Sequence, residues 1–141
     1  MAETLISTSR MPTTAELVSL YDSVGWSLYT ANPQALSQGV QNSLRVATAW
    51  DEGGQLVGLA RIVGDGFTIV YLQDVLVRPQ WQRTGVGRWL MEEVFAPYKN
   101  VRQQVLLTDD EARQRLFYES LGFKEIRDLD HATRAFIRFG S

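Results

Sequence analysis

The chain has no cysteine and only one histidine among its 141 residues. The lack of cysteine excludes disulfide bonds, thiolate catalysis and zinc sites built on cysteine. A single histidine, His131, cannot supply a histidine-rich metal site, and its neighbours Asp130 and Ala132 are typical of a surface loop. We therefore expect a protein without a bound metal ion.

Excess positive charge and long apolar runs are missing as well. The net charge is −2, so the chain lacks the basic excess by which proteins bind nucleic acids and anionic membranes. No apolar run approaches the roughly 20 residues of a membrane span, and the first residues do not resemble a signal peptide. We expect one cytoplasmic domain over residues 1–141, with no nucleic-acid or membrane partner.

Two helices are predicted near the N-terminus, after a short initial strand. Thr13 and Glu16 have the spacing of a capping box, and apolar residues then recur with the period of a helix face. Gly25 is placed to end this helix. Asn32 followed by Pro33 predicts the N-cap and the first residue of the second helix.

The rest of the chain alternates between strand and helix patterns. Three strands come first, separated by turns at 51–54 and 64–66, and a helix follows from Gly85 to Ala96. A buried strand is predicted at 103–108, and then a helix that Asp109 or Asp110 caps and Gly122 ends. A final strand pair is predicted at 123–128 and 133–139. The full order is β-α-α-β-β-β-α-β-α-β-β. Its strand–helix–strand unit implies one parallel pair in a mostly antiparallel sheet. The sequence therefore predicts a mixed α+β fold.

Two glycines, Gly85 and Gly87, lie where an extended apolar run gives way to a helical pattern. A Rossmann turn needs a third glycine and a P-loop needs a lysine, and both are missing here. The pattern [QR]-x-x-G-x-[GA] is complete, with Gln82 in its first place. Successive N–H groups at a helix start favour a phosphate, and a Cβ would keep it away. The alternative is a tight turn without a ligand.

The residues around these glycines resemble a known family. The stretches "QDVLVRPQWQRTGVGRWLMEEV" and "FYESLGF" resemble the pyrophosphate-binding motif and the tyrosine-bearing helix of the GNAT superfamily of acetyl-CoA dependent N-acyltransferases. The predicted order of elements is similar to that fold along essentially the whole chain. The resemblance implies acetyl-CoA as the acyl donor. The cofactor-binding residues that it implies are Leu76, Val77, Gln82, Arg83, Thr84, Gly85, Val86, Gly87, Arg88 and Tyr118.

In the resembled enzymes an amine attacks the thioester and a thiolate leaves. The resemblance implies that the amide of Val77, together with that of Leu76, stabilises the oxyanion. It also implies that Tyr118 protonates the departing sulfur. The alternative for Tyr118 is a half-buried helix aromatic whose hydroxyl bonds a carbonyl.

An alkylamine with a pKa of ~10.4 must also lose a proton before it attacks. Family members often carry Glu or His at the positions of Tyr71 and Gln73, and neither of these residues is a strong base. Asp74 is the nearest carboxylate, and we predict it as the catalytic base or amine anchor. Strict alternation places Asp74 on the sheet face opposite to Tyr71 and Gln73, but a bulge could turn its side chain to their face. The alternatives are a buried acceptor that fixes the bulge and a water chain that takes the proton.

Aromatic residues favour a small monoamine as the acetyl acceptor. The segment that joins the first two helices overhangs the amine-binding end of the cleft in the resembled fold. The substrate-binding residues predicted there and on the fourth strand are Tyr21, Trp26, Tyr29, Tyr71 and Gln73. Aromatic walls attract a cationic amine by ~0.5–2 kcal/mol. The alternative is that Tyr21 completes the apolar helix face and Trp26 folds back on the helix end.

Two classes of function are therefore left open. The first is an N-acetyltransferase acting on a primary amine of a small molecule. The second is a catalytically silent acetyl-CoA sensor or regulatory module, which the missing strand carboxylate favours. Because the resembled family frequently pairs through its C-terminal strands, a homodimer is among the expected assemblies.

Overall fold

The structure is a computed structural model that describes residues 3–140. Its strands are β1 (Thr4–Ser7), β2 (Arg45–Asp51), β3 (Leu56–Gly64), β4 (Ile69–Val77) and β5 (Gln103–Leu106). Its α-helices are α1 (Thr14–Ser23), α2 (Ser27–Thr30), α3 (Pro33–Gln41), α4 (Val86–Phe95) and α5 (Ala112–Ser120). Short 3-10 turns lie at Pro79–Trp81, Ala96–Tyr98 and Ile126–Asp128. Within residues 3–140 no helix is long and apolar enough to cross a bilayer.

The five strands form one sheet in the order β1-β2-β3-β4-β5. Neighbouring strands are antiparallel except β4 and β5, which run parallel as the strand–helix–strand unit predicted. Both predicted hairpin turns are present, since β2 ends at Asp51 and β3 ends at Gly64. The mixed α+β fold with a mostly antiparallel sheet is confirmed.

The chain divides into two compact units, one ending at Leu107 and the other beginning at Thr108. The first unit contains the sheet and helices α1 to α4, and the second contains α5. This division does not decide whether residues 1–141 are one domain, which stays a prediction.

Local signals set the ends of the first long helices. The Thr13 hydroxyl accepts a hydrogen bond from the Glu16 amide at 3.1 Å, and the Glu16 carboxylate accepts one from the Thr13 amide at 2.9 Å. The predicted capping box is thus confirmed. Asn32 caps α3 by accepting from the Ala35 amide at 3.2 Å, and Pro33 is the first residue of that helix. The four-residue α2 was not predicted, because a single turn carries no apolar period.

Helices α1 and α3 cover one face of the sheet, and α4 covers the other. On the first face a buried apolar cluster includes Leu17, Leu20, Leu36, Val40, Leu59 and Leu76. On the second face Gly58 of β3 lies against Leu90 and Val86, and a Cβ at this glycine would stand 2.9 Å from Leu90 Cδ1. Glycine therefore lets α4 approach the sheet closely, which fixes the place of its N-terminal turn.

Strand β5 is shorter and more exposed than the sequence predicted. It ends at Leu106, and the neighbouring Val105 and Leu107 keep more than a third of their surface in solvent. The prediction of a buried strand at 103–108 is wrong in this respect. Among residues 3–140, β5 is an edge strand with a strand neighbour on one side only, so its other edge has no strand partner.

The two ends of α5 differ in how well they were predicted. Glu111 is the N-cap and makes no side-chain hydrogen bond there, so neither Asp109 nor Asp110 caps the helix as predicted. Gly122 ends the helix in the left-handed conformation, with φ at 94°, as predicted. Its amide donates to the Glu119 carbonyl at 3.0 Å.

The predicted final strand pair is absent, because residues 123–140 contain no strand. The first of the two segments bends into the 3-10 turn at Ile126–Asp128. Arg115 of α5 forms ion pairs with Glu125, just before this turn, and with Asp128, its last residue. Alternation of apolar and polar residues marks a segment that is able to pair, but it does not supply the partner strand.

Candidate functional site

Strand β4 has an open edge in its second half. It pairs with β3 from Val70 to Val77, but with β5 only from Ile69 to Leu72. No other strand of residues 3–140 lies on the β5 side of β4. Backbone N–H groups after Leu72 that point away from β3 therefore have no strand partner.

Hydrogen bonding shows which amides point to this open edge. The Arg78 amide donates to the Val57 carbonyl at 2.8 Å, so it points toward β3. Because N–H directions alternate along a strand, the Val77 N–H points to the open edge and the Leu76 N–H points toward β3. The Leu76 carbonyl oxygen would stand 3.2 Å from a Cβ on Gly58 of β3, which agrees with this direction. The predicted oxyanion role thus fits Val77 and does not fit Leu76.

A tight turn joins the open edge of β4 to the start of α4. The Gln82 side-chain amide donates to the Val77 carbonyl at 3.0 Å, which ties the turn to the end of the strand. The Thr84 hydroxyl donates to the Trp81 carbonyl. Arg83 and Gly85 both have left-handed backbones, with φ at 63° and 93°. The side chains of Gln82 and Thr84 thus hold the turn itself.

The N-terminus of α4 lies directly after this turn. The Trp89 amide makes the first bond of the helix ladder, to the Gly85 carbonyl at 3.0 Å. The N–H groups of residues 86–88 therefore precede the ladder, where the helix dipole favours an anion. Val86 is buried against the sheet, so only its backbone faces the turn. Gly87 in this first helical turn presents no side chain.

A β-bulge turns Asp74 to the face of the sheet that α1 and α3 cover. Arg61 of β3 is paired with Asp74, whereas the next residue, Ile62, is paired with Leu72, so Gln73 is the extra residue of β4. Paired residues share a sheet face, and Asp74 therefore lies on the side of Arg61. The strict alternation that placed Asp74 and Tyr71 on opposite faces is corrected by this bulge.

Three donors surround the Asp74 carboxylate. Its Oδ2 atom accepts from Arg61 Nε at 2.6 Å and from the Tyr21 hydroxyl at 2.8 Å, and its Oδ1 atom accepts from the Tyr29 hydroxyl at 2.7 Å. Asp74 has only 4% of its surface exposed. A carboxylate has no proton to donate, so both tyrosines point their protons at it. Direct removal of an amine proton by Asp74 would require the Tyr29 hydroxyl to move aside or to relay the proton.

The environment keeps these tyrosines neutral. Burial and the charge of Asp74 raise the pKa of Tyr21 far above its ordinary value. Burial and the hydrogen bond to Asp74 raise the pKa of Tyr29, and burial with the Asp74 charge raises that of Tyr71. The pKa of Arg61 is raised as well, because the charge and hydrogen bond of Asp74 outweigh the burial that opposes it.

Arg61 was not predicted as part of the site. The signal for it was a single charged residue inside the apolar run of β3. Such a residue is nearly always paired when it is buried. The partner could not be named, because the bulge that brings Asp74 opposite Arg61 leaves no mark in the sequence.

The aromatic residues after α1 pack on one another. Trp26 donates its amide to the Tyr21 carbonyl at 3.1 Å, after the left-handed Gly25. This is a Schellman ending, in which the residue after the glycine packs back on the helix. The Tyr21 ring contacts those of Trp26 and Tyr29 with centroids 5.8 and 5.0 Å apart.

This packing separates the five predicted acceptor residues into two groups. Tyr21 has no exposed surface, so it offers none of the surface predicted for an acceptor, and its hydroxyl bonds Asp74. Trp26 packs back on the helix end, as the alternative for it predicts, but it is half-buried and keeps part of its surface. Tyr29 and Tyr71 are half-buried and Gln73 is exposed, so these three retain surface for a ligand.

Tyr118 lies in α5, in the second compact unit. It is buried, and its ring contacts those of Phe117 and Phe123 with centroids 5.1 and 6.2 Å apart. Burial raises the pKa of the Tyr118 hydroxyl, and a hydrogen bond with Thr108 offsets part of this rise. The hydroxyl therefore carries its proton at neutral pH, as a proton donor must. His131 is exposed, as expected for a loop residue.

Comparison with known proteins places these features in a family. The family described as "Acetyltransferase (GNAT) domain" matches residues 42–125, a span that includes β4, the glycine turn and Tyr118. A solved GNAT family acetyltransferase of Streptococcus pneumoniae TIGR4 is 32% identical, with a TM-score of 0.82 over 96% of this chain and 98% of its own.

Two curated relatives match shorter stretches. A protein of Gibberella zeae that is named an acetyltransferase is 38% identical over 56% of this chain and 45% of its own length. Serotonin N-acetyltransferase 2 of Oryza sativa is 34% identical over 54% of this chain and 38% of its own length. The chain thus spans about half the length of these curated relatives or less. With the family match and the pneumococcal structure together, the chain belongs to the GNAT family of acetyltransferases.

Proposed function

We propose that this chain is an N-acetyltransferase that moves the acetyl group of acetyl-CoA to a primary amine of a small molecule. The observation that carries the proposal is the open edge of β4, where the Val77 N–H has no strand partner, joined directly to the turn that begins α4. A free strand N–H followed by a helix N-terminus suits a ligand that has a thioester at one end and a pyrophosphate at the other.

In the proposed reaction the amine nitrogen attacks the acetyl carbonyl carbon. A C–N bond forms, the carbonyl oxygen becomes an oxyanion, and the amine loses a proton. The oxyanion then collapses, the C–S bond breaks, and the sulfur leaves with the electron pair of that bond. The Val77 N–H donates to the oxyanion, and Tyr118 gives a proton to the sulfur, a role that rests on the family resemblance.

The backbone of residues 83–88 holds the pyrophosphate in this proposal. The amides of Val86, Gly87 and Arg88 point along the helix axis at its positive end. Gly87 leaves room for the phosphate because it has no side chain. Gln82 contributes through the turn that it ties to Val77, rather than by direct contact.

Asp74 takes part in amine deprotonation only through Tyr29 or through water. A relay moves the amine proton to the Tyr29 oxygen while the Tyr29 proton passes to Asp74 Oδ1, across the 2.7 Å hydrogen bond between them. Water that bridges the amine to bulk solvent is the other route, because part of the Tyr29 surface is exposed.

The acceptor is a small monoamine with an aromatic or alkyl body. Tyr29 and Tyr71 offer ring surface for such a body. The negative charge of Asp74 is balanced by Arg61 at 2.6 Å, so the cluster has no excess negative charge with which to select a polyamine. The similarity to a serotonin N-acetyltransferase also supports an amine of this size and kind.

A catalytically silent acetyl-CoA-binding module is the second candidate. The observation that favours it is the occupation of Asp74 by three donors, which leaves no free carboxylate on this part of β4. The two candidates share the cofactor site and differ only in turnover.

Release of free thiol separates them. The full chain is incubated with acetyl-CoA and with phenethylamine-type, aliphatic, polyamine and peptide acceptors, and the thiol is measured against a sample without amine. The proposed enzyme releases thiol fastest with the phenethylamine type. Acetyl-CoA binding without amine-dependent thiol release from any acceptor contradicts the enzyme and supports the silent module. Faster release with polyamines or peptides contradicts the acceptor class.

We also propose that the chain forms a homodimer through its C-terminal segment, residues 129–140. Four large apolar side chains there are exposed in the single chain, namely Leu129, Phe136, Ile137 and Phe139. Contiguous exposed apolar residues of this kind mark surfaces that bind another protein.

A further inference from the structure

A chain of hydrogen bonds runs from the buried Arg61 to the exposed Gln73. Arg61 and Tyr29 donate to Asp74, and the side-chain amide of Gln73 donates from Nε2 to the Tyr29 oxygen at 2.9 Å. The Tyr29 proton is committed to Asp74, so the Tyr29 oxygen can only accept a further bond. Gln73 must therefore present its NH₂ group to Tyr29, and its Oε1 atom is turned away.

Gln73 lies where its free amide oxygen can meet a ligand. Gln73 is the extra residue of the β4 bulge, and it directly follows Leu72, where the pairing with β5 ends. Its side chain is exposed, and within residues 3–140 its Oε1 atom has no hydrogen-bond partner. A hydrogen-bond acceptor of fixed direction thus lies at the start of the open edge of β4.

We propose that Gln73 Oε1 accepts a hydrogen bond from the amine group of the acetyl acceptor, and that Tyr29, Asp74 and Arg61 are positioning residues that fix the direction of this atom. The proposal rests on the proposed function and names one specificity contact within it. Arg61 neutralises Asp74, Asp74 fixes the Tyr29 proton, and Tyr29 fixes the Gln73 amide. Each side chain in this series of hydrogen bonds has one orientation, because the side chain before it, counted from the buried Arg61, has one.

The chemistry of an amide oxygen suits this task. A carboxylate at the same place would favour the charged ammonium form and raise the pKa of the amine. An amide oxygen orients an N–H group with a weaker preference for the protonated form. The acceptor is therefore held without opposing the deprotonation that must precede attack.

The orientation of Gln73 can be tested without turnover. NMR signals of the Gln73 side-chain NH₂ group are assigned by their loss in Gln73→Leu. In the protein without substrates, Tyr29→Phe should shift these signals and speed their exchange with water, because it removes the oxygen that accepts them. Tyr98→Phe serves as the control, since Tyr98 is another half-buried tyrosine and lies outside this chain of bonds. Unchanged signals in Tyr29→Phe would overturn the proposed orientation.

The acceptor contact is tested by steady-state kinetics with the best amine. Gln73→Leu should raise the acceptor KM about tenfold, the usual worth of one hydrogen bond, with the KM for acetyl-CoA unchanged. Tyr29→Phe should raise the acceptor KM in the same direction, and the double variant should be no worse than Gln73→Leu alone. Gln34→Leu, an exposed glutamine on α3, is the matched control.

Effects of Tyr29→Phe and Gln73→Leu on the acceptor KM that multiply in the double variant would show two independent contacts with the acceptor, and they would overturn the positioning of Gln73 by Tyr29. A fall in kcat in Tyr29→Phe belongs to the proton relay and is compared separately. An acceptor KM unchanged in Gln73→Leu would overturn the contact. A wild-type protein that releases no thiol with any amine would refute the proposed function and the contact with it, while the NMR result would still decide the orientation of Gln73.

Discussion

Gly85 and Gly87 illustrate how two residues of one motif serve different ends. Gly85 has a φ of 93° and nothing within 4 Å of where a Cβ would stand, so its backbone conformation is what requires glycine. Gly87 belongs to the first turn of α4, where a side chain would meet a bound pyrophosphate. The sequence pattern treats the two glycines alike, whereas the structure gives Gly85 a conformational role, and the proposed contact with the pyrophosphate belongs to Gly87.

The first prediction follows from this difference. Gly87→Val should weaken acetyl-CoA binding at least tenfold, about 1.4 kcal/mol, because a branched side chain displaces the phosphate, and it should leave unfolding cooperative. Gly85→Ala should instead lower the free energy of unfolding by about 1–2 kcal/mol, the cost of a left-handed non-glycine residue. Titration calorimetry and urea unfolding measure the two effects. Wild-type affinity in a folded Gly87→Val protein would show that the pyrophosphate binds elsewhere.

The second prediction concerns Tyr118. Tyr118→Phe keeps the ring that contacts Phe117 and Phe123 but loses the hydroxyl proton. We expect kcat to fall by ~10²–10⁴, the usual contribution of general acid catalysis, with the affinity for acetyl-CoA little changed. Phe117→Leu is the control for the aromatic packing. If kcat in Tyr118→Phe equals that of the wild type, Tyr118 has only a packing role.

At the scale of elements, the bulge in β4 determines what the acidic residue can do. Without the bulge Asp74 would lie on the α4 face with Leu72, away from Arg61 and both tyrosines. The inserted Gln73 brings it to the α1 face, where α1 supplies Tyr21 and α2 supplies Tyr29. One extra residue thus converts a strand position into a buried, fully bonded carboxylate.

The third prediction is a loss of stability at alkaline pH. Burial raises the pKa of Tyr21 in the folded protein, whereas in the unfolded chain it keeps its ordinary value of about 10. Above that value the unfolded chain loses a proton that the folded protein retains, so the free energy of unfolding falls as pH rises. Tyr21 alone contributes a slope of ~1.4 kcal/mol per pH unit, from about pH 10 upward.

Urea unfolding between pH 8 and about pH 11 measures this slope. Tyr21→Phe should be less stable than the wild type near neutral pH, because Asp74 loses a hydrogen bond, but its alkaline slope should be shallower. A slope unchanged by Tyr21→Phe would show that the Tyr21 hydroxyl is not protected from ionisation in the folded protein.

The sequence predicted those elements whose ends depend on neighbouring residues. The capping box of α1 and the Asn32–Pro33 start of α3 involve residues within three positions of one another. The last two predicted strands failed, because strand pairing depends on residues far away in the chain. The same distinction holds in the site: the turn at residues 82–88 was predicted from its own residues, but the Arg61–Asp74 pair was not.

At the scale of the whole molecule, the charge of the site suggests which acceptors it admits. The buried carboxylate and guanidinium cancel, so a cationic amine is not drawn to Asp74 as it would be to a free carboxylate. In the proposed function, selection then depends on ring contacts and on single hydrogen bonds, which discriminate by shape more than by charge. A site of this kind suits a small amine better than a highly basic polymer.

The last prediction tests the proposed homodimer. Phe136 and Phe139 are 90% and 82% exposed, and burying both against a second copy would remove most of this surface from water. We expect the wild-type protein to sediment at twice the 16.0 kDa of one chain in the micromolar range. The double substitution Phe136→Ser with Phe139→Ser should sediment as a single chain. Phe67→Ser is the matched control, because Phe67 is 86% exposed at the tip of the β3–β4 hairpin, outside the C-terminal segment. A wild-type protein that sediments as one chain throughout that range contradicts the dimer. A double variant that still sediments as a dimer places the interface outside residues 129–140, because removal of two phenylalanine rings from a true interface cannot leave its affinity intact.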